Sequence, residues 1–161
     1  MGCLRTGGRH ADVLVFYKQP KQADAHHYLG VLLETVRKDF DGAEAAYRAA
    51  ITADPRKAYA HYNLGLLLET VRKDFDGAEA SYREAIAANP GRADAHINLG
   101  LLLEFKRMNI DGAEAAYRAA IAANPGHARA YFNLGVLLET VRKDLDEIGR
   151  ASGRERVCSW V

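Results

Sequence analysis

Cysteine is almost missing from this chain: Cys3 and Cys158 stand near opposite ends of 161 residues. That placement excludes a disulfide framework and any zinc-ligand spacing, and it suits a reducing, cytoplasmic setting. A charge of one sign is missing too. Lysine and arginine total 22 against 21 aspartates and glutamates, a formal net charge of +1. No bulk field therefore draws in nucleic acid or anionic lipid. No apolar run approaches the roughly 18 residues of a membrane-spanning helix. The first residues lack the long apolar stretch of a secretory signal. There is no nucleophile elbow, phosphate-cradling glycine loop or paired acid–base constellation, so catalysis is not expected and no cofactor or metal is implied. What remains, 48% apolar and 27% charged, is ordinary globular composition, with length enough for a continuous core.

Proline is scarce, and its four copies are evenly placed at Pro20, Pro55, Pro90 and Pro125. Glycine marks the same interval at Gly30, Gly65, Gly100 and Gly135. Both series step by 35, and segments 23–57 and 58–92 agree at about 25 of 35 positions. A period of about 20–50 residues means stacked supersecondary units. Within 58–92 a helix is predicted over Tyr59–Val71, because Ala60, Leu64, Leu67, Leu68 and Val71 fall on one stripe. Arg72 and Lys73 close it with cations suited to the negative helix end. Asp74 or Asp76 caps a second helix, with Phe75, Ala78, Tyr82, Ala85 and Ile86 as its stripe. The run Asp76-Gly77-Ala78-Glu79 resembles a capping box. On the outer face Glu79 precedes Arg83 by one turn, as Glu44 does Arg48 and Glu114 does Arg118. Asn89-Pro90-Gly91 ends the unit, since proline lacks an N–H and disfavours helix before it. The expected fold is all-α, a solenoid of helix-turn-helix repeats.

These residues also carry a resemblance. "NLG" in the first helix, "A…Y…A" in the second and "NP" or "DP" at the close look like tetratricopeptide repeats. The match covers 23–143: three full units (23–57, 58–92, 93–127) and the first helix of a fourth (128–143). It implies a right-handed α–α superhelix whose first helices line a concave wall. It also implies a non-enzymatic interaction module or scaffold that binds a protein or peptide partner. Two features depart from the family. His26, His61 and His96 stand where a bulky aromatic is usual, with Tyr131 in the last copy. Each unit is also one residue longer than the family's usual length of about 34. The extra residue falls near Thr35–Lys38 and its counterparts, where it lengthens the first helix or loosens its turn. Pentatricopeptide repeats, which share the longer period and bind RNA, are the runner-up. Near-neutral charge and the "NLG…A…Y…A…NP" spacing favour the first family.

A second stripe on the first helices, apart from the core one, is the expected ligand wall. It holds Tyr62, Asn63, Leu66 and Glu69 in the second copy, Ile97, Asn98, Leu101 and Glu104 in the third, and Phe132 and Asn133 in the fourth. A side-chain amide offers a donor and an acceptor together, so Asn63, Asn98 and Asn133 can grip a ligand backbone at regular intervals. This is similar to the asparagine ladder in the superhelix of O-GlcNAc transferases. The alternative is local bonding or hydration of those amides. Tyr62, Ile97, Phe132, Leu66 and Leu101 would supply apolar contact. Glu69 and Glu104, with Glu34 and Glu139, either select basic ligand residues or form a solvated row beside Arg37, Arg72, Arg107 and Arg142. The wall lacks the lysine-and-arginine pattern of family members that clamp a chaperone's C-terminal carboxylate.

His26, His61 and His96 fall once per repeat, on the order of 10 Å apart, too far to share a metal at about 2 Å; packing is their expected role. The ends differ from the array. Segment 1–22 reads as a degenerate capping helix or a frayed arm. Its "MGCLRT" matches the acylation pattern for Gly2, with Cys3 as a second lipid site, and only such acylation would attach the chain to a membrane. Segment 144–161 is a non-repeat tail whose "EIGRASGRERV" looks like the translation of sequencing-adapter read-through. Gly149, Ser152 and Gly153 weaken helix propensity there, and no apolar stripe appears. The helix around Tyr131–Val141 would then lack its partner and expose apolar side chains, which makes self-association through that end the alternative to a dedicated ligand.

Overall fold

The computed structural model describes residues 22–158; Gly2, Cys3 and the rest of the N-terminal arm lie outside the described residues. The described chain is helical throughout, with seven helices. Helix α1 covers 22–32 and runs into a π-helical turn, Leu33–Arg37. Then follow α2 (Phe40–Ala53), α3 (Ala58–Leu67) with a π turn Leu68–Arg72, and α4 (Phe75–Ala88). The last three are α5 (Ala93–Phe105), α6 (Ile110–Ala123) and α7 (Ala128–Cys158). Helices α3 and α5 each pack against the helix that precedes and the helix that follows, and α6 packs on α7, so the pairs stack in chain order.

The extra residue of each unit sits at the end of its first helix. In the first two units it is taken up in a π turn, which holds one residue more than an α turn, and in all three the segment closes on a left-handed residue. Lys38 (φ 57°), Lys73 (φ 58°) and Met108 (φ 52°) take that conformation. The next amide then bonds six residues back, Asp39 to Leu33, Asp74 to Leu68 and Asn109 to Leu103, one residue wider than the usual left-handed closure. The widening turns Val71 out of the core stripe to 36% exposure, against expectation, while Leu64, Leu67 and Leu68 stay buried.

The second helices are capped by Asp39, Asp74 and Asn109, each of whose Oδ1 accepts from the glycine N–H three residues on, at 3.0 Å. Asp76 is therefore not the cap; it pairs with Arg107 of the next unit. The cap also explains the glycines. A Cβ on Gly42, Gly77 or Gly112 would come within 2.4–2.7 Å of the capping side chain. In the fourth unit that place is taken by Glu147. A side chain there leaves no room for the same cap, and α7 runs on as one helix to Cys158. The weakened helix propensity expected of Gly149, Ser152 and Gly153 does not break α7, which continues through them.

Tyr47, Tyr82 and Tyr117 of the second helices are fully buried, as are Leu67, Leu102, Ala78 and Ala113. Burying each such leucine contributes about 1.5–3 kcal/mol. The tyrosine rings lie over Gly30, Gly65 and Gly100, where a Cβ would meet ring carbons at 2.5–2.7 Å. Nothing lies within 4 Å of that point on Gly135, because no second helix follows α7 among the described residues. Accordingly Tyr131, Phe132, Val136 and Leu138 are exposed. Outside the core, Arg72 reaches back to Asp41 and Glu44, and Arg107 to Asp76 and Glu79, clasping neighbouring units.

Candidate functional site

The stacked first helices α1, α3, α5 and α7 carry the residues singled out in the sequence. Their asparagines do not form a free row. Asn63 Nδ2 donates to His27 Nε2 at 3.0 Å, and Asn98 Nδ2 donates to the Tyr62 hydroxyl at 3.1 Å. These are one bond written twice: in each, the asparagine lies 36 residues after its acceptor. The same step from Asn133 reaches Ile97, whose side chain accepts nothing, and Asn133 Nδ2 is buried without a partner among the described residues. Asn98 is the most committed of the three. It is 7% exposed, and its Oδ1 accepts from Arg129 at 3.2 Å. A three-rung ladder open to ligand is corrected accordingly; Asn63 and Asn98 join repeat to repeat.

The glutamates are corrected in the same way. Glu34, Glu69 and Glu104 accept from the hydroxyls of Tyr47, Tyr82 and Tyr117 at 2.6–2.7 Å. Burial, followed by these carboxylates, pushes all three phenols well above their ordinary value. The glutamates are half-buried tethers between the two helices of a unit, not a solvated row. Glu139 has no tyrosine opposite and pairs instead with Lys143 at 2.9 Å. The constant 13-residue step from glutamate to tyrosine was a readable signal for this bond.

Among the apolar candidates, Ile97 is 0% exposed, packed with Ala93, Ala120 and Ala130, and is unavailable to a ligand. Leu66 and Leu101 are half-buried against the core. Tyr62 is half-buried, and its phenol is raised by burial and then by the charge of Asp94. Phe132 is 69% exposed, and so is Tyr28; Tyr59 is 54% exposed. The histidines bond rather than merely pack: Nε2 of His61 and His96 donates to the carbonyls of Pro55 and Pro90 at 2.9 and 3.0 Å. His27 is an acceptor from Asn63 and therefore neutral, and burial, then Lys57, lowers its pKa.

Sequence reasoning missed Arg92. Its guanidinium lies 4.3 Å from the ring centroids of both Tyr59 and Tyr62. Position 92 belongs to a series with Lys57 and His127, which pair with Asp24 and Asp94. Tyr59 replaces aspartate in the middle of that series, so a cation–π contact replaces an ion pair.

The tetratricopeptide repeat family model matches the sequence over residues 9–56, 36–91, 71–108 and 102–147. The chain belongs to the tetratricopeptide repeat family. No curated protein matches it in sequence. Solved structures share its right-handed α–α superhelix. The first tetratricopeptide domain of Spaghetti (RPAP3), bound to the HSP90 peptide SRMEEVD, superposes with a TM-score of 0.68 at 20% identity, covering 76% of this chain and 95% of that one. MamA superposes at 0.67 with 23% identity, over 95% and 89%. A mutant Thermobaculum terrenum O-GlcNAc transferase gives 0.63 at 24%, over 75% of this chain and 23% of its own. At these identities the likeness is one of fold. Within this repeat array, Asn133, Phe132, Tyr59, Tyr28, Arg92 and Arg129 keep groups that the core does not use up.

Proposed function

We propose that this tetratricopeptide array is a non-enzymatic interaction module that takes an extended peptide along the wall of first helices. The carrying observation is the set of large aromatics left exposed there, Tyr28, Tyr59 and Phe132, on helices whose other faces are buried. Exposed aromatic side chains on a rigid support make strong anchors at low entropic cost. Membership of a repeat family that presents extended binding surfaces supports the reading, as does the peptide seated on the Spaghetti domain. Cytoplasmic residence, from the sparse cysteines, belongs to the same proposal.

The test is selection of a peptide from a random display library against the full chain, then titration calorimetry. One-to-one binding that falls about tenfold or more in Tyr59→Ala/Phe132→Ala is expected. Failure to enrich any peptide, or binding indifferent to both aromatics, would overturn it.

A second reading rests on α7, whose Tyr131, Phe132, Val136 and Leu138 are exposed together beside an uncovered Gly135. It makes the array self-associating. Light scattering across a dilution series separates the two: a concentration-independent monomer removes the second reading.

A further inference from the structure

Three buried side-chain polar atoms lack a partner among the described residues: Arg92 Nε, Asn133 Nδ2 and His127 Nδ1. They belong to the seams joining the second, third and fourth repeats, and the first two can only donate. Arg92 is held against Tyr59 and Tyr62 and forms no ion pair with any described residue. Arg129 is exposed and has one acceptor, Asn98 Oδ1 at 3.2 Å. Between the two guanidinium groups run Tyr62 and Asn98, themselves joined at 3.1 Å. The acids nearby are engaged, Asp94 by His127 and Glu104 by the Tyr117 hydroxyl. Donors therefore outnumber acceptors along this stretch, and its two cations are paired with no carboxylate among the described residues.

We propose that the stretch from Arg92 to Arg129 is a subsite for the side-chain carboxylate of an acidic peptide. It rests on the reading of this wall as a peptide-binding surface and adds its chemical preference. Stacking on two rings fixes the Arg92 plane beforehand, so little side-chain freedom is lost when a carboxylate arrives. Of the wall's other acids, Glu34 and Glu69 accept from tyrosines of the second helices, Asp24 pairs with Lys57 and Glu139 with Lys143. The subsite is built without the paired cations of a C-terminal clamp, and its target is an internal aspartate or glutamate.

The experiment uses the full chain and three labelled short peptides read by fluorescence anisotropy. One alternates alanine and glutamate and is capped at both ends; the second replaces glutamate by glutamine; the third is all alanine with a free C terminus. The expected result is that the glutamate peptide binds about tenfold or more tighter than the glutamine peptide, the gain from charge-assisted hydrogen bonds. Arg92→Gln/Arg129→Gln should abolish that preference, while Lys143→Gln, at a cation already paired with Glu139, leaves it intact. Arg129→Gln alone, at an exposed position, keeps the fold and carries the test if the double variant loses helicity. Equal binding of the two capped peptides, a preference that survives in the variants, or binding by the free C terminus alone would overturn the subsite. If peptides selected from the library still bind while the capped pair bind alike, the wall reading stands and only the subsite falls.

Discussion

The Asn98 amide donates to the Tyr62 hydroxyl at 3.1 Å across the boundary between the second and third repeats. One repeat later the equivalent amide, on Asn133, is buried without an acceptor. Two residues that look interchangeable in the sequence thus sit on opposite sides of the hydrogen-bond ledger.

Asn98→Ala should therefore cost about 1–2 kcal/mol of stability, since it strands the Tyr62 hydroxyl and releases Arg129. Asn133→Ala should be neutral or slightly stabilising, because it removes an unanswered buried donor. Urea unfolding of both variants checks the contrast, and a Tyr62→Phe double-mutant cycle with Asn98→Ala should give coupling of about 0.5–1.5 kcal/mol.

The repeat glycines should diverge in the same manner. A Cβ on Gly65 would lie 2.7 Å from a Tyr82 ring carbon, and that ring is fully buried. Gly65→Ala should destabilise by about 1–3 kcal/mol through overpacking. Gly135→Ala meets nothing within 4 Å and should stabilise α7 by up to about 1 kcal/mol through helix propensity. Thermal melts read both signs.

Alkali should unfold the array. Tyr47, Tyr82 and Tyr117 have phenols raised by burial and by Glu34, Glu69 and Glu104. A group whose folded pKa is raised stabilises fully below its unfolded value and loses that contribution as pH climbs toward the folded one. Stability should be flat below the unfolded tyrosine value of about 10 and fall steeply above it. Tyrosinate absorbance should appear together with the loss of helical circular dichroism; tyrosinate forming in a still-helical protein would contradict the burial argument.

The left-handed residues offer a gain. Lys73 and Met108 hold φ of 58° and 52°, a conformation costing a side-chain-bearing residue about 1–2 kcal/mol. Lys73→Gly or Met108→Gly should raise stability by about 0.5–1 kcal/mol net of glycine's extra chain entropy. A higher midpoint in urea at unchanged slope is the expected record.

Much of this was legible in the chain itself. The 35-residue step of glycine and proline, the leucine stripes and the Glu79–Arg83 spacing dictated paired helices in a stack, because helical period and capping are local properties. The acceptors of Asn63 and Asn98 and the rings beneath Arg92 were decided only by tertiary structure. Those contacts join different helices, and their geometry depends on how one unit rotates against the next. A single extra residue, taken up in π turns before Lys38 and Lys73 and in the turn before Met108, contributes to that rotation. So the sequence by itself determined what repeats; packing decided which of the repeated groups face one another and which, like the Asn133 amide and Arg92 Nε, have no partner among the described residues.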